Sequence, residues 1–263
     1  MEYKGIVFFD YDGTLTDENE KIFTPTEKTK KSIDALNENG YLTVLATGRA
    51  LCYVPESGLD FGGYVTSNGA YAEIKGKEIF QSYIPKDELE ALIRTFDEAD
   101  ICYSLENQLK CYAKGLKEPL FRNMLEHFKL PVKAFEGLDK NNIPKASKIN
   151  TVYRNIEQHY ELKKKFEGKY KFDLHREYLS LDVQPVGVNK SVGARAITEY
   201  LKMPRENIYT FGDGTNDYDI FCFAGHAIAM EKHNVILDGV CEYITSSVKN
   251  EGIFNGLKEY GLI

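Results

Sequence analysis

Two carboxylates one residue apart stand at the end of an apolar run in Gly5-Ile6-Val7-Phe8-Phe9-Asp10-Tyr11-Asp12-Gly13-Thr14-Leu15. In extended chain, side chains at i and i+2 point to the same side. Like charges held that close cost free energy unless a cation or a proton lies between them. A divalent metal with oxygen ligands resolves the conflict, and Gly13 permits the tight turn that leads away. A solvated Asp-Gly turn is the lesser alternative when the segment is taken alone. A second acidic segment, Gly212-Asp213-Gly214-Thr215-Asn216-Asp217, follows another apolar strand pattern, Asn207 to Phe211. It reads alone as a turn capping a helix that begins near Asn216, with Asp217 favourable in the first turn. Two acidic turns, each closing a buried strand, are harder to explain as ordinary turns.

Two weaker signals accompany them. Thr47-Gly48-Arg49 ends a strand pattern and offers a hydroxyl and backbone amides suited to an anionic oxygen. Lys190 stands beside Asn189 at a helix start, where a cation is disfavoured unless an anion is close.

The elements that must carry these residues follow from periodicity. Short continuous apolar runs at residues 5–9, 41–46 and 63–66 read as strands buried on both faces. Between the first two lies a helix that starts at Thr24-Pro25-Thr26-Glu27, with Thr24 as its cap, and stops at Asn39-Gly40. Strand, helix, strand in that order requires a parallel sheet with right-handed crossovers. Ligands of such sheets sit beyond the carboxyl ends of the strands, where all four signals lie. The last third repeats the style. Val192, Ala196, Ile197, Tyr200 and Leu201 form one helical face, a helix over 216–224 stops at Gly225, and strands follow at 227–230 and 243–245. The middle differs, with charged helices at 86–98 and 157–165 and strand-like pieces at 108–112, 148–153 and 178–183. It reads as an inserted α+β module, with Tyr83-Ile84-Pro85 and Gln184-Pro185-Val186 as hinges. The expected division is 1–80, 81–186 and 187–263.

The chain has 263 residues, a net charge of −7, and 43% hydrophobic and 28% charged residues, an ordinary globular composition. No long basic run favours nucleic acid as a partner. The five cysteines form no CxxC pair, so a disulfide framework or zinc site is not expected, and reduced buried thiols are. No segment is long enough for a signal peptide or membrane span, which gives a cytoplasmic expectation. Oligomeric state is not legible.

In order and context, DYDGTL, TGR, GVNKS and GDGTNDYDI resemble the haloacid dehalogenase superfamily. The pattern looks like the Cof-like branch, whose members carry an α+β cap of the IIB class inserted between the second and third of these motifs. The resemblance implies a Rossmann-like parallel-sheet core with that cap, and a Mg²⁺-dependent phosphatase acting on a small phosphorylated metabolite. By the same resemblance Asp10 is the nucleophile and a metal ligand. Asp12 is the general acid and base, and binds metal through its backbone carbonyl. Thr47 with Gly48 and Arg49, together with Asn68 of Ser67-Asn68-Gly69 and Asn216, contacts the phosphoryl group. Lys190 neutralises its charge, Asp213 completes the metal ligands, and Asp217 supports the metal shell or Lys190. Met230-Glu231-Lys232-His233 and Ile220-Phe221 depart from the branch's usual residues. In the inserted module Glu106, Asn107, His175 and Arg176 are candidates to face substrate, His175 and Arg176 foremost. A phosphomutase of the phosphomannomutase type and a non-catalytic phospholigand-binding regulator remain open on the same motifs. Asp12 and the lack of membrane spans argue against a P-type ATPase domain, and Asp12 against a dehalogenase. Sugar phosphates, phosphorylated cofactors and nucleotides all remain open as substrates.

Overall fold

The computed structural model describes residues 3–175 and 178–263. The chain divides into two compact units. The first comprises residues 1–49, 55–80 and 189–263, and the second comprises 50–54 and 81–188.

In the first unit, β1 (Ile6–Phe9), α1 (Glu27–Glu38), β2 (Leu42–Ala46), β3 (Gly63–Thr66), β4 (Tyr71–Ile74) and β5 (Lys77–Gln81) come first along the chain. The second unit contains α2 (Lys86–Glu98), β6 (Cys102–Glu106), β7 (Cys111–Lys114), α3 (Pro119–His127), β8 (Phe135–Gly137), β9 (Lys148–Val152), α4 (Ile156–Lys165), β10 (Tyr170–Leu174) and β11 (Ser180–Pro185). The chain then returns through α5 (Lys190–Leu201), β12 (Ile208–Gly212), α6 (Tyr218–Phe223), β13 (His226–Ala229), β14 (Tyr243–Ile244) and α7 (Gly252–Glu259).

The first unit's sheet runs β14-β13-β12-β1-β2-β3-β4-β5. It is parallel from β14 to β3, and β4 pairs antiparallel with β3. The central strand β1 is buried at every residue, which its all-apolar sequence permits and its place between β12 and β2 requires. Ala194, Ile197, Ile220 and Phe221 of α5 and α6 cluster with Ile6, Phe8 and Val44. The alternate residues Phe9 and Phe211 stack at 5.3 Å, and Gly256 lets α7 close on the Phe211 ring. The core is thus a parallel sheet covered by helices, the Rossmann-like arrangement expected from the sequence.

The second unit's sheet runs β10-β11-β9-β6-β7-β8. Its neighbours are antiparallel except for β7 with β8. One face, including Leu105, Ile149, Leu181 and Val183, packs under α2 and α4. The other face bears buried charge. Lys148 lies 3.0 Å from Asp182 and 3.3 Å from Glu106, and the Tyr53 hydroxyl donates to Glu106 at 2.7 Å.

Several elements differ from the sequence reading. Helix α1 is capped by Thr26, not Thr24: the Thr26 hydroxyl accepts from the Thr29 amide at 3.1 Å and donates to Glu251 at 2.6 Å. That distant partner is invisible to local pattern. The strand expected at 108–112 begins only at Cys111, because Asn107 Oδ1 accepts from the amides of Leu109 and Lys110 and folds those residues into a turn. The helix expected over 216–224 opens as a single 3₁₀ turn, Thr215–Asp217, before α6. Strands β4, β5, β6, β8 and β10 and helices α3 and α7 have no counterpart in the sequence reading. The cysteines are free as expected, but only Cys102 and Cys111 are buried; Cys52 and Cys241 are half-buried and Cys222 is exposed. Among the described residues no helix is long and apolar enough to cross a membrane.

The Ser67-Asn68-Gly69 turn presses on the start of α5. Gly69 has φ +93°, and a Cβ there would lie 1.9 Å from the Asn189 carbonyl oxygen. Replacing Gly69 by Ala combines backbone strain with overlap against backbone, so urea unfolding is expected to show a loss of about 3 kcal/mol or more. A loss of only a few tenths would show that this contact does not set the position of α5.

Candidate active site

Parallel pairing of β1 with β12 sets Phe9 against Phe211, and the Asp10 amide donates to the Phe211 carbonyl at 3.0 Å. Asp10 and Asp213 therefore leave the sheet at the same edge. Phe9 is also level with Leu45 of β2, which brings Thr47 to that edge. Asn189 caps α5 with its side chain, and Lys190, its first residue, is fully buried.

The Lys190 ammonium donates to Asp10 Oδ1 and Asp217 Oδ1, each at 2.7 Å. The other oxygen of Asp217 accepts from the amides of Asp213 (3.0 Å) and Gly214 (2.9 Å). Both Asp217 oxygens are thereby engaged. Thr14 Oγ1 donates to Asp213 Oδ1 at 2.8 Å. Carboxylate oxygens of Asp10, Asp213 and Asp217 lie within 4.8 Å of one another, and one buried lysine faces the three. Burial, with Asp217 nearby, pushes the Asp213 carboxyl up to about 7. Burial and then Asp217 raise Asp10 well above the usual carboxylate range, against the opposing pull of Lys190. Burial alone would lower Lys190; Asp10 and Asp217 reverse this and hold it above the usual lysine value.

The donor set fits a hard divalent cation. It is all oxygen, short of positive charge, and dry. Asp10 Oδ2 and Asp213 Oδ2 are the carboxylate oxygens not used by these hydrogen bonds, so Asp10 and Asp213 could hold the ion while Asp217 supports Lys190 and the turn.

Asp12 does not join the cluster, contrary to the alternation of an extended chain. Strand β1 ends at Phe9. The amides of Leu15 and Thr16 both bond to the Tyr11 carbonyl, so the chain is already turning at Asp12. Gly13 has φ +87°, and a Cβ there would overlap the Asp213 carboxylate. The Asp12 side chain, 49% exposed, instead takes a bidentate pair from Arg49, with Nε at 2.9 Å and an Nη at 2.7 Å.

Thr47 is buried, and its hydroxyl accepts from the Arg49 amide at 3.2 Å. Asn68 has φ +49° and sits against Gly48. Its Oδ1 accepts from Asn216 Nδ2 at 3.1 Å, so Gly48, Asn68 and Asn216 form one contiguous group. In the second unit, His175 Nδ1 lies 2.7 Å from Ser180 Oγ, and its Nε2 lies 3.7 Å from Asp182. Glu106 is likewise tied into the buried charge cluster, and Asn107 into a turn. Arg176 lies outside the described residues. The sequence reading did not single out Thr14, whose hydroxyl holds Asp213; the DGT spacing is its only sequence signal.

The raised carboxyls imply a stability trend. A carboxyl whose folded pKa is raised favours folding below the ordinary carboxylate range, and that contribution is lost as pH rises through the folded value. Without metal, the Asp213→Asn protein is expected to exceed wild type in Tm by a much larger margin at pH 8 than at pH 5. Mg²⁺ should raise the wild-type Tm more at pH 8 than at pH 5. Equal melting of the two metal-free proteins at pH 8 would contradict the charge shortage.

The haloacid dehalogenase-like hydrolase family matches residues 7–257. YkrA of Bacillus subtilis is 26% identical over 268 residues, spanning 98% of each chain. The 5-amino-6-(5-phospho-D-ribitylamino)uracil phosphatase YitU of the same organism is 24% identical over 276 residues, spanning 97% of each. The fold superimposes with a TM-score of 0.81 on the subclass IIB sugar phosphatase BT4131, at 21% identity, covering 98% of this chain and 100% of that one. With its family match spanning nearly the whole length, the chain belongs to the haloacid dehalogenase-like hydrolases.

Proposed function

We propose that the protein is a Mg²⁺-dependent phosphatase that hydrolyses a small phosphate monoester through an aspartyl-phosphate on Asp10. The observation that carries this reading is the buried lysine shared between Asp10 and Asp217, with Asp213 beside them and too little positive charge for three carboxylates. Such a site gains on receiving a divalent cation and has a cation fixed against the nucleophile.

Asp10 and Asp213, with the backbone carbonyl of Asp12, would hold Mg²⁺, which when bound supplies charge neutralisation for the carboxylates and the phosphoryl oxygens. Lys190 orients the Asp10 carboxylate and offsets repulsion from the incoming anion. Thr47, the Gly48 and Arg49 segment, Asn68 and Asn216 hold the phosphoryl oxygens. The Asp10 carboxylate attacks phosphorus, and the ester oxygen leaves with a proton from Asp12. Asp12, now a carboxylate, takes a proton from water as that water attacks the aspartyl-phosphate, releasing phosphate and restoring Asp10. Arg49 binds the Asp12 carboxylate between turnovers and must yield it for protonation. The second unit serves as the cap that selects the substrate, a phosphorylated sugar or phosphorylated cofactor; the phosphorylated ribitylaminouracil named for YitU supports that class. A cytoplasmic location is part of this proposal.

Purified protein is expected to release phosphate from p-nitrophenyl phosphate with Mg²⁺ and to stop on EDTA addition. Asp10→Asn should lose on the order of 10⁴-fold or more in kcat, and Asp12→Asn roughly 10²–10⁴-fold. No phosphate release, with phosphoryl exchange only in the presence of a bisphosphate, would replace the phosphatase by a mutase.

A further inference from the structure

Outside the candidate site, a pair of thiols is unaccounted for. Cys52 and Cys111 are 59 residues apart in sequence, yet their sulfurs are 3.6 Å apart. Cys52 is half-buried and Cys111 fully buried. Cys52 belongs to residues 50–54, a short stretch that leaves the first unit after Arg49 and packs with the second. Both flanks of Cys52 are anchored there. Ala50 and Tyr53 are buried in the cluster that includes Cys111 and Phe135. The Tyr53 ring stacks on Phe135 at 5.9 Å, and its hydroxyl bonds Glu106 at 2.7 Å. Cys52 Sγ also lies 3.6 Å from the Asn107 carbonyl. Cys111 is fixed on β7, paired with Glu106 on one side and Phe135 on the other.

We propose that Cys52 and Cys111 form an oxidisable dithiol that closes to an intrachain disulfide and fixes residues 50–54 to the second unit's sheet. The two positions are unequal in a way that orders the chemistry. Burial pushes the Cys111 thiol far up, so it stays protonated within hydrogen-bonding distance of the Cys52 sulfur. Cys52, half-buried where Cys111 is fully buried, is the more accessible of the two and meets the oxidant first. With a hydroperoxide, the Cys52 thiolate attacks the O–O bond and becomes a sulfenic acid while the hydroperoxide is reduced to the alcohol. The Cys111 sulfur then attacks the Cys52 sulfur and expels hydroxide, which leaves as water with the Cys111 proton. Two thiols and one hydroperoxide give one disulfide, one alcohol and one water. The sulfurs must close to about 2.05 Å, a movement within reach of side-chain rotation at two adjacent positions.

The inference is independent of the phosphatase reading, and its test does not use turnover. Reduced full-length protein treated with hydrogen peroxide is expected to lose two hydrogens by intact mass. Peptide mapping should find a Cys52–Cys111 crosslink that dithiothreitol reverses. Amide exchange at residues 50–54 should slow on oxidation, and Tm should rise because a long loop has been closed. Cys52→Ser, a mild change at a half-exposed position, should abolish the crosslink; Cys222→Ser should leave it intact. Oxygen accumulating on Cys52 without a crosslink, a crosslink to another cysteine, or unchanged exchange at residues 50–54 in the crosslinked protein would each overturn the proposal.

Discussion

A lysine ammonium with no access to water is tolerated only where its donors are answered. At Lys190 the answer comes from Asp10 and Asp217, and those bonds join three separate parts of the chain. Asp10 closes the central strand, Lys190 opens α5, and Asp217 sits in the turn beyond β12. Removing either acid would leave the lysine half-satisfied in a dry interior. Removing the lysine would leave three carboxylates facing one another. The ion pair ties the fold together, and in the proposed mechanism the geometry that satisfies Lys190 also aims the Asp10 carboxylate.

The second unit shows what the same materials do when more partners surround the acids. Lys148 also lies between two buried carboxylates, Glu106 and Asp182. There the Tyr53 hydroxyl takes up part of Glu106, Ser104 donates to its other oxygen, and His175 stands near Asp182. The acids are met within the sheet, and Asp182 is held below the usual carboxylate range by Lys148 and His175 despite its burial. In the first unit Asp10 and Asp213 are pushed upward. The two buried lysine–carboxylate clusters thus differ in how many partners each acid has: three carboxylates meet one lysine in the first unit, whereas in the second Lys148 is joined by Tyr53, Ser104 and His175.

The positions of the core motifs were legible because they depend on short-range rules. An all-apolar run followed by acid marks a buried parallel strand and its carboxyl end, and β1 and β12 both obey it. The cap of α1 was misplaced because Thr26 is chosen by Glu251, more than two hundred residues away. The strand expected from 108 was delayed by one asparagine side chain. Strand β6 mixes polar and apolar residues yet is buried at every position, because one of its faces carries buried charge, so alternation there no longer marks inside and outside. The buried role of Glu106 and the setting of His175 could not be read from sequence, since their partners come from other strands.

The separation of Asp10 from Asp12 was also missed, and its cause bears on mechanism. Two acids at i and i+2 on a strand would share one environment and compete for one proton or cation. The turn after β1 prevents this by carrying Asp12 out to Arg49 at the surface, while Asp10 stays buried against Lys190. The two duties proposed for this pair have opposite needs. A nucleophile for phosphorus works best stripped of water and held in one orientation, whereas a group that gives a proton to a leaving oxygen and later takes one from water must reach both. Gly13, whose positive φ carries the turn beside Asp213 where a side chain would collide, is the residue that lets adjacent acids live in such different surroundings.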